Sequence, residues 1–213
     1  MATQRADFSK AIETNAPDFG LELSVDQIAL LADYYELLLK WNERLHLVAP
    51  CSPEEFAIRH VLESLVLLRH FSQSATVVDV GSGGGLPIIP CLLIREDLHA
   101  TLVESSKRKT VFLREALRLV ASPERAQVVN ARFEELEFPA SDFLTCRALD
   151  RFSQLLPLMI QRIGPRTTLL LFAGDALGKQ IQSLIPSARL ERVPHSDQRF
   201  LVSACQNPNL SRF

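Results

Sequence analysis

"VVDVGSGGGLP", residues 77–87, sets a short apolar run against four glycines within five positions. The run is β-branched apart from Asp79, as in a parallel strand covered on both faces. Gly81, Gly83, Gly84 and Gly85 follow at its carboxyl end, where an open α/β sheet binds its ligands. Without Cβ atoms they can take positive φ and let another molecule lie against the main chain, although a tight turn alone would use the same residues.

A P-loop needs GxxxxGK followed by Ser or Thr, and this loop has no lysine to reach phosphates. The dinucleotide fingerprint GxGxxG, read from Gly81, meets Leu86 where its third glycine belongs, and Pro87 comes next. A nucleoside without a phosphate chain, such as S-adenosylmethionine, needs only close main-chain approach and an acid after the following strand to hold its ribose. Glu104, closing "ATLVE" about twenty residues on, is that acid. Asp79 is expected to accept hydrogen bonds from the loop amides and fix the turn.

Outward from the loop, apolar runs of strand length alternate with helical patterns, the signature of a parallel sheet with crossover helices. Strands are predicted at 76–80, 99–104, 126–130, 142–146, 167–172, 188–193 and 199–204, and helices at 86–95, 106–120, 151–162 and 175–184. Only "PHSDQ" joins the last two strands, so they finish the sheet antiparallel. Upstream, Ser24 with Gln27 forms a capping box ahead of an amphipathic helix. Ser52, Pro53 and Glu55 repeat the device ahead of a second. The fold class is therefore α/β, a doubly wound sheet of seven strands. Residues 1–75 are read as an N-terminal helical appendage packed on a core domain of residues 76–213.

Composition bounds the function. The 213 residues are 47% apolar with a formal charge of −2, which suits one sizeable core and argues against a protein that coats nucleic acid non-specifically. Positive charge is instead local: Lys107, Arg108, Lys109, Arg114 and Arg118 share one predicted helix, either as a solvated face or as a polyanion contact. Cys51, Cys91, Cys146 and Cys205 form no CxxC and no metal site is expected, which suits reduced core cysteines. "GLPIIPCLLI" is about half a bilayer span and holds two prolines, so the expectation is a cytoplasmic protein with no membrane partner.

These pieces together resemble a known family, the bacterial small-subunit ribosomal RNA (guanine-N7) methyltransferases, RsmG, also called glucose-inhibited division protein B. "LLLKWNERLHL" is similar to its KWNxxxNLT segment, "IRHVLESL" to its RHxxDS segment and "DVGSGGGLPIIP" to its DVGxGxGLPGIP loop. "LVESSKRKTVFLREAL", "NARFEEL" and "TCRAL" match its later segments in order. The resemblance implies a Rossmann-like methyltransferase sheet with S-adenosyl-L-methionine as cofactor. It implies donor contacts at Gly81, Leu86, Phe133, Glu134 and Arg147, with Glu104 at the ribose; the loop reading adds Gly83 and Gly85. Phe133 and Glu134 would lie at the adenine end, or simply start a helix. Arg147 would hold the donor's carboxylate or an RNA phosphate, or else pair with Asp150. Lys107, Arg108 and Lys109 would meet RNA phosphates.

Enzymes that methylate exocyclic amines commonly end the fourth strand with an Asn- or Asp-Pro-Pro-aromatic motif, which "TCRAL" lacks. Guanine N7 has a free lone pair and no proton to lose, so no catalytic base is nominated. Orientation can supply about seven kcal/mol or more. The partner implied is small-subunit ribosomal RNA or the assembling small ribosomal subunit, met by a monomer. The chain departs from the family pattern at His46, Glu63 and Ile88, and has Phe172 and Ala173 where the family reads LKG. That missing lysine keeps open an alternative, a non-catalytic RNA-binding or assembly protein that retains the pocket, or a methyltransferase with another substrate. Phe172 would stack on a base or close the strand inside the core. His60, like the other histidines, is read as packed or capping.

Overall fold

Adjacent residues of the first strand, Val77 and Val78, both lie in apolar clusters, but on opposite faces of the sheet. Helices cover both faces, which is why the strands read as unbroken apolar runs. The computed structural model describes residues 2–147, 152–162 and 164–205. Its strands are β1 (Thr76–Val80), β2 (His99–Val103), β3 (Ala126–Val129), β4 (Phe143–Cys146), β5 (Thr168–Gly174), β6 (Arg189–Arg192) and β7 (Arg199–Cys205). They form one sheet in the order β3-β2-β1-β4-β5-β7-β6. β7 runs antiparallel to β5 and β6, as the short link requires, and the other pairs are parallel.

The helices are α1 (Ala2–Asn15), α2 (Val25–Leu45), α3 (Pro53–Phe56), α4 (Glu63–Leu65), α5 (Ile88–Ile94), α6 (Lys107–Ala116), α7 (Phe152–Arg162) and α8 (Asp175–Leu184). Leu156, Met159 and Ile181 from α7 and α8 bury against Val78, Leu144 and Leu169 on one face. On the other face Val77, Leu102 and Leu170 share one cluster with α5, α6 and the N-terminal helices. Tyr34, Tyr35 and Leu38 of α2 are at most 1% exposed in it. Side chains buried to that degree contribute roughly 1.5–3 kcal/mol each, so the N-terminal segment packs as part of the same core.

Boundaries differ from the sequence reading where tertiary contacts act. β5 runs to Gly174 because its last residue pairs with Arg199 of β7. α5 begins at Ile88 because the turns of the glycine loop continue through Pro87. α6 stops at Ala116 and tightens into a 3₁₀ turn, Leu117–Leu119. α1 has no counterpart in the sequence reading; its buried Phe8 and Ile12 stand among polar neighbours, and Phe8 stacks on Tyr35 at 4.5 Å. The Ser24–Gln27 capping box is complete. At Ser52 only half forms: the hydroxyl accepts from the Glu55 N–H at 3.0 Å, while the Glu55 carboxylate turns to Arg59. The expected second helix is also not uniform. Between α3 and α4 it widens into a π turn, Ala57–Leu62, and after α4 it tightens into a 3₁₀ turn, Val66–Arg69. Among the described residues no helix is long and apolar enough to cross a membrane.

Candidate active site

Register builds the site. Val80 of β1 aligns with Val103 of β2 and Cys146 of β4, and Val103 with Val129 of β3. The next residues, Gly81, Glu104, Asn130 and Arg147, therefore emerge along one rim of the sheet. The rim is tied together: Gly81 and Ser82 N–H donate to the Val103 carbonyl at 2.9 and 3.1 Å, and Asn130 Nδ2 donates to the Glu104 carbonyl at 2.8 Å. Over it opens a cleft of about 700 Å³.

Gly81, Gly83, Leu86, Glu104, Phe133, Glu134 and Arg147 all line this cleft. Gly83, at φ 50°, presents bare main chain to it. Gly85 is not among the residues that line it. A Cβ there would lie 2.3 Å from Ile89 Cδ1, so packing of the loop on the helix behind it requires a glycine. Glu104 is 7% exposed. One of its oxygens accepts from Gly83 N–H at 2.9 Å, the other from Ser106 N–H at 2.7 Å. A carboxylate offers about four lone-pair positions; the Ser105 hydroxyl reaches a third at 3.5 Å, which leaves one open and one held by a rotatable hydroxyl that a vicinal diol could displace. Phe133, 5% exposed and edge-on to Phe138 at 4.9 Å, gives the cleft a fixed apolar wall. Bare main chain, a buried carboxylate with acceptor capacity left and an aromatic wall fit a nucleoside such as that of S-adenosylmethionine.

Asp79 does not accept from the loop amides. Its Oδ1 takes the Thr145 hydroxyl at 2.7 Å, and its Oδ2 is buried without a partner among the described residues. The loop contact is made instead by its main chain, whose carbonyl accepts the Ser82 hydroxyl at 3.0 Å. Burial raises the Asp79 carboxyl to about 7, against the pull of the Ser82 and Thr145 hydroxyls.

At the β4 end the arginine is already engaged. Arg147 pairs with the fully buried Glu63 at 3.2 Å and donates to the carbonyls of Arg59 and His60 in the π turn. Its guanidinium also lies 5.4 Å from the Phe172 ring centroid. Arg199 of β7 binds the other Glu63 oxygen. Burial pushes the Glu63 carboxyl up, and the two guanidiniums oppose it. Asp150 lies outside the described residues; among these, the carboxylate that Arg147 meets is Glu63, on the N-terminal segment. Phe172 packs at the edge of the core and supports Arg147.

Lys109 lines the cleft, while Lys107 and Arg108 stand exposed beside it at the start of α6. Sequence reasoning missed the wall opposite. Leu47, Val48 and Ala49 line the cleft after α2, and Asn42 clamps Val48 through its main-chain carbonyl and N–H, both at 3.0 Å. Tyr34 donates from its buried hydroxyl to the Gly84 carbonyl at 2.5 Å. His60 also lines the cleft, where the sequence reading saw only packing or capping. No local pattern marks these residues, because α2 reaches the loop only through the fold.

Known proteins resemble this chain. Residues 27–207 match the family model described as rRNA small subunit methyltransferase G. A ribosomal RNA small subunit methyltransferase G from Xanthomonas campestris pv. campestris (strain 8004) is 38% identical over 172 residues, 80% of each chain. One from Xanthomonas euvesicatoria pv. vesicatoria (strain 85-10) is 36% identical over 179 residues, 84% of this chain and 82% of the relative. Among solved structures, an RNA methyltransferase from Salinibacter ruber in complex with S-adenosyl-L-homocysteine superposes with a TM-score of 0.53 at 14% identity, covering 76% of this chain and 95% of that one. At that identity the likeness speaks to the fold alone.

Proposed function

Because the chain belongs to the rRNA small subunit methyltransferase G family, we propose that it transfers a methyl group from S-adenosylmethionine to N7 of a guanine in small-subunit ribosomal RNA. The observation that carries this reading is Glu104, buried at the rim beside the bare main chain of Gly83, with one acceptor position open and another held only by the rotatable Ser105 hydroxyl. Glu104 would take the two ribose hydroxyls, Phe133 and Glu134 would flank the adenine, and Gly81 and Leu86 would bound the rest of the donor. When bound, S-adenosylmethionine supplies an electrophilic methyl on a sulfonium. The protein's part is to hold N7 in line with it and to exclude water; no side chain has to remove a proton from N7 before attack. The names borne by the relatives weigh against the non-catalytic alternative.

Arg147 serves this site indirectly in our reading: its guanidinium is spent on Glu63 and the π turn, so it is not assigned to the donor's carboxylate. Lys107, Arg108 and Lys109 are assigned to RNA phosphates at the mouth of the cleft. We take residues 1–75 as a helical appendage to a methyltransferase domain of residues 76–213, working as a monomer in the cytoplasm, on naked small-subunit RNA or on the assembling particle. The target base must be splayed out, since the deep groove of paired RNA hides N7.

Two measurements test the proposal. Calorimetry with S-adenosylmethionine should show binding that Glu104→Ala weakens at least about tenfold, the loss of charge-assisted hydrogen bonds. Incubation with labelled donor and small subunits from a strain lacking the modification should yield 7-methylguanine on digestion. Donor binding without transfer would favour the non-catalytic role.

A further inference from the structure

His60 lines the cleft and has no part in the donor seat. It stands on the π turn Ala57–Leu62, beside Arg147 at the end of β4. In the sheet order, the acid and aromatic assigned to the nucleoside follow β2 and β3, on the far side of the glycine loop from β4. The β4 side is thus where the methyl acceptor must enter, and His60 faces it.

The two ring nitrogens of His60 differ. Nδ1 lies 3.4 Å from Arg147 Nη2. The two Nη2 protons also serve the Arg59 carbonyl and Glu63, so this contact is a shared one; a guanidinium offers only N–H groups and positive charge, so the Nδ1 lone pair and not an N–H faces it, and the ring proton sits on Nε2. Arg147 cannot leave easily, since Glu63, two main-chain carbonyls and the Phe172 ring hold it. The Phe56 ring, 5.0 Å away, backs the imidazole. Burial first, then the charges of Arg147, Arg59 and Arg199, lower the ring's pKa to about 3. Glu63 is the carboxylate in this cluster, and both its oxygens are taken by arginines. The ring is therefore neutral at working pH, with one N–H that finds no acceptor among the described residues.

That donor matches one base edge. Beside N7, guanine presents the O6 acceptor, whereas adenine presents the N6 amino group, a donor. When the methyl approaches N7, only the neighbouring position is left to tell the two purines apart from this edge. We propose that His60 Nε2–H donates a hydrogen bond to O6 of the target guanine and so selects guanine over adenine, with Arg147 as the positioning residue that fixes the tautomer. The proposal rests on the guanine-N7 reading above and adds a base-reading residue to it.

The test uses the full-length protein, S-adenosylmethionine and two preparations of small subunits lacking the modification: one with the mapped target guanine, the other with adenine at that position. His60→Phe keeps a planar ring and removes the donor. It should leave S-adenosylmethionine affinity within about twofold of wild type while kcat/KM on guanine subunits falls roughly 10–100-fold, the usual worth of a buried hydrogen bond to substrate. The guanine-to-adenine ratio of kcat/KM should fall by at least about tenfold. His60→Gln, whose amide can present N–H or C=O, should recover much of the guanine rate and little of the discrimination. Wild-type kcat/KM in His60→Phe overturns the proposal, and so does a loss of rate with an unchanged ratio, which would mark a structural role. If His60→Phe fails to melt cooperatively, the ratio in His60→Gln decides: a wild-type ratio overturns the proposal. A wild-type protein that binds the donor yet makes no 7-methylguanine overturns the reading beneath it, before any variant is compared.

Discussion

Glu104 ties the loop to the start of α6, and its neighbours make the proposed second job, holding the donor's ribose, testable. Two main-chain N–H groups, from Gly83 and Ser106, point at its oxygens. In Glu104→Gln the new amide would turn an N–H toward one of them, so the isosteric change is expected to cost donor affinity about as much as Glu104→Ala, at least about tenfold by calorimetry. Glutamine binding the donor like wild type would count against the assignment. Asp79 makes a prediction of opposite character. Its folded pKa, about 7, lies above the ordinary 3.8, so between those values the native state holds a proton that the unfolded chain has lost. Stability must then fall as pH rises through this window and level off above it. At about 1.4 kcal/mol per pKa unit the penalty is a few kcal/mol. Asp79→Asn should flatten the profile, so that chemical denaturation at pH 8 finds the variant gaining on wild type relative to pH 5. Equal slopes for the two proteins would show that Asp79 is not the group responsible.

Among the elements, α2 links the N-terminal segment to the site, through Tyr34 on the Gly84 carbonyl and Asn42 on Val48. Tyr34→Phe strands a buried carbonyl, at a cost of roughly 1–3 kcal/mol, and should loosen the loop enough to weaken S-adenosylmethionine binding. Ser24→Ala, at the far end of the same helix, loses its cap for about 1 kcal/mol and should leave donor affinity unchanged. Urea denaturation and calorimetry on the pair separate a helix that merely folds from one that holds the cradle. The capping box was legible because it is local. The π turn was not, since the helical spacing of "SPEEFAIRHVLESLVLL" reads the same for a uniform helix. What accompanies the widening is long-range: Arg147 reaches the carbonyls of Arg59 and His60 from β4.

Across the whole molecule, the net charge is −2, and Lys107, Arg108 and Lys109 concentrate positive charge at the start of α6, the face assigned above to RNA. Lys107→Ala with Arg108→Ala should weaken subunit binding, with the salt slope falling by about one for each phosphate no longer neutralised. Donor binding should not change. An unchanged slope would move the RNA interface elsewhere. The sequence by itself determined the parallel sheet, its antiparallel finish, the loop at the end of the first strand and the acid after the second. Strand periodicity, a short link and missing Cβ atoms are properties of neighbours in the chain. Only the tertiary structure decided that Gly85 serves Ile89, that Asp79 turns to Thr145, and that Arg147 belongs to Glu63. It alone brought His60 and residues 47–49 to the cleft. Each of these depends on partners far apart in sequence, brought together when α2 and the π turn pack against the sheet, and no spacing along the chain encodes that distance.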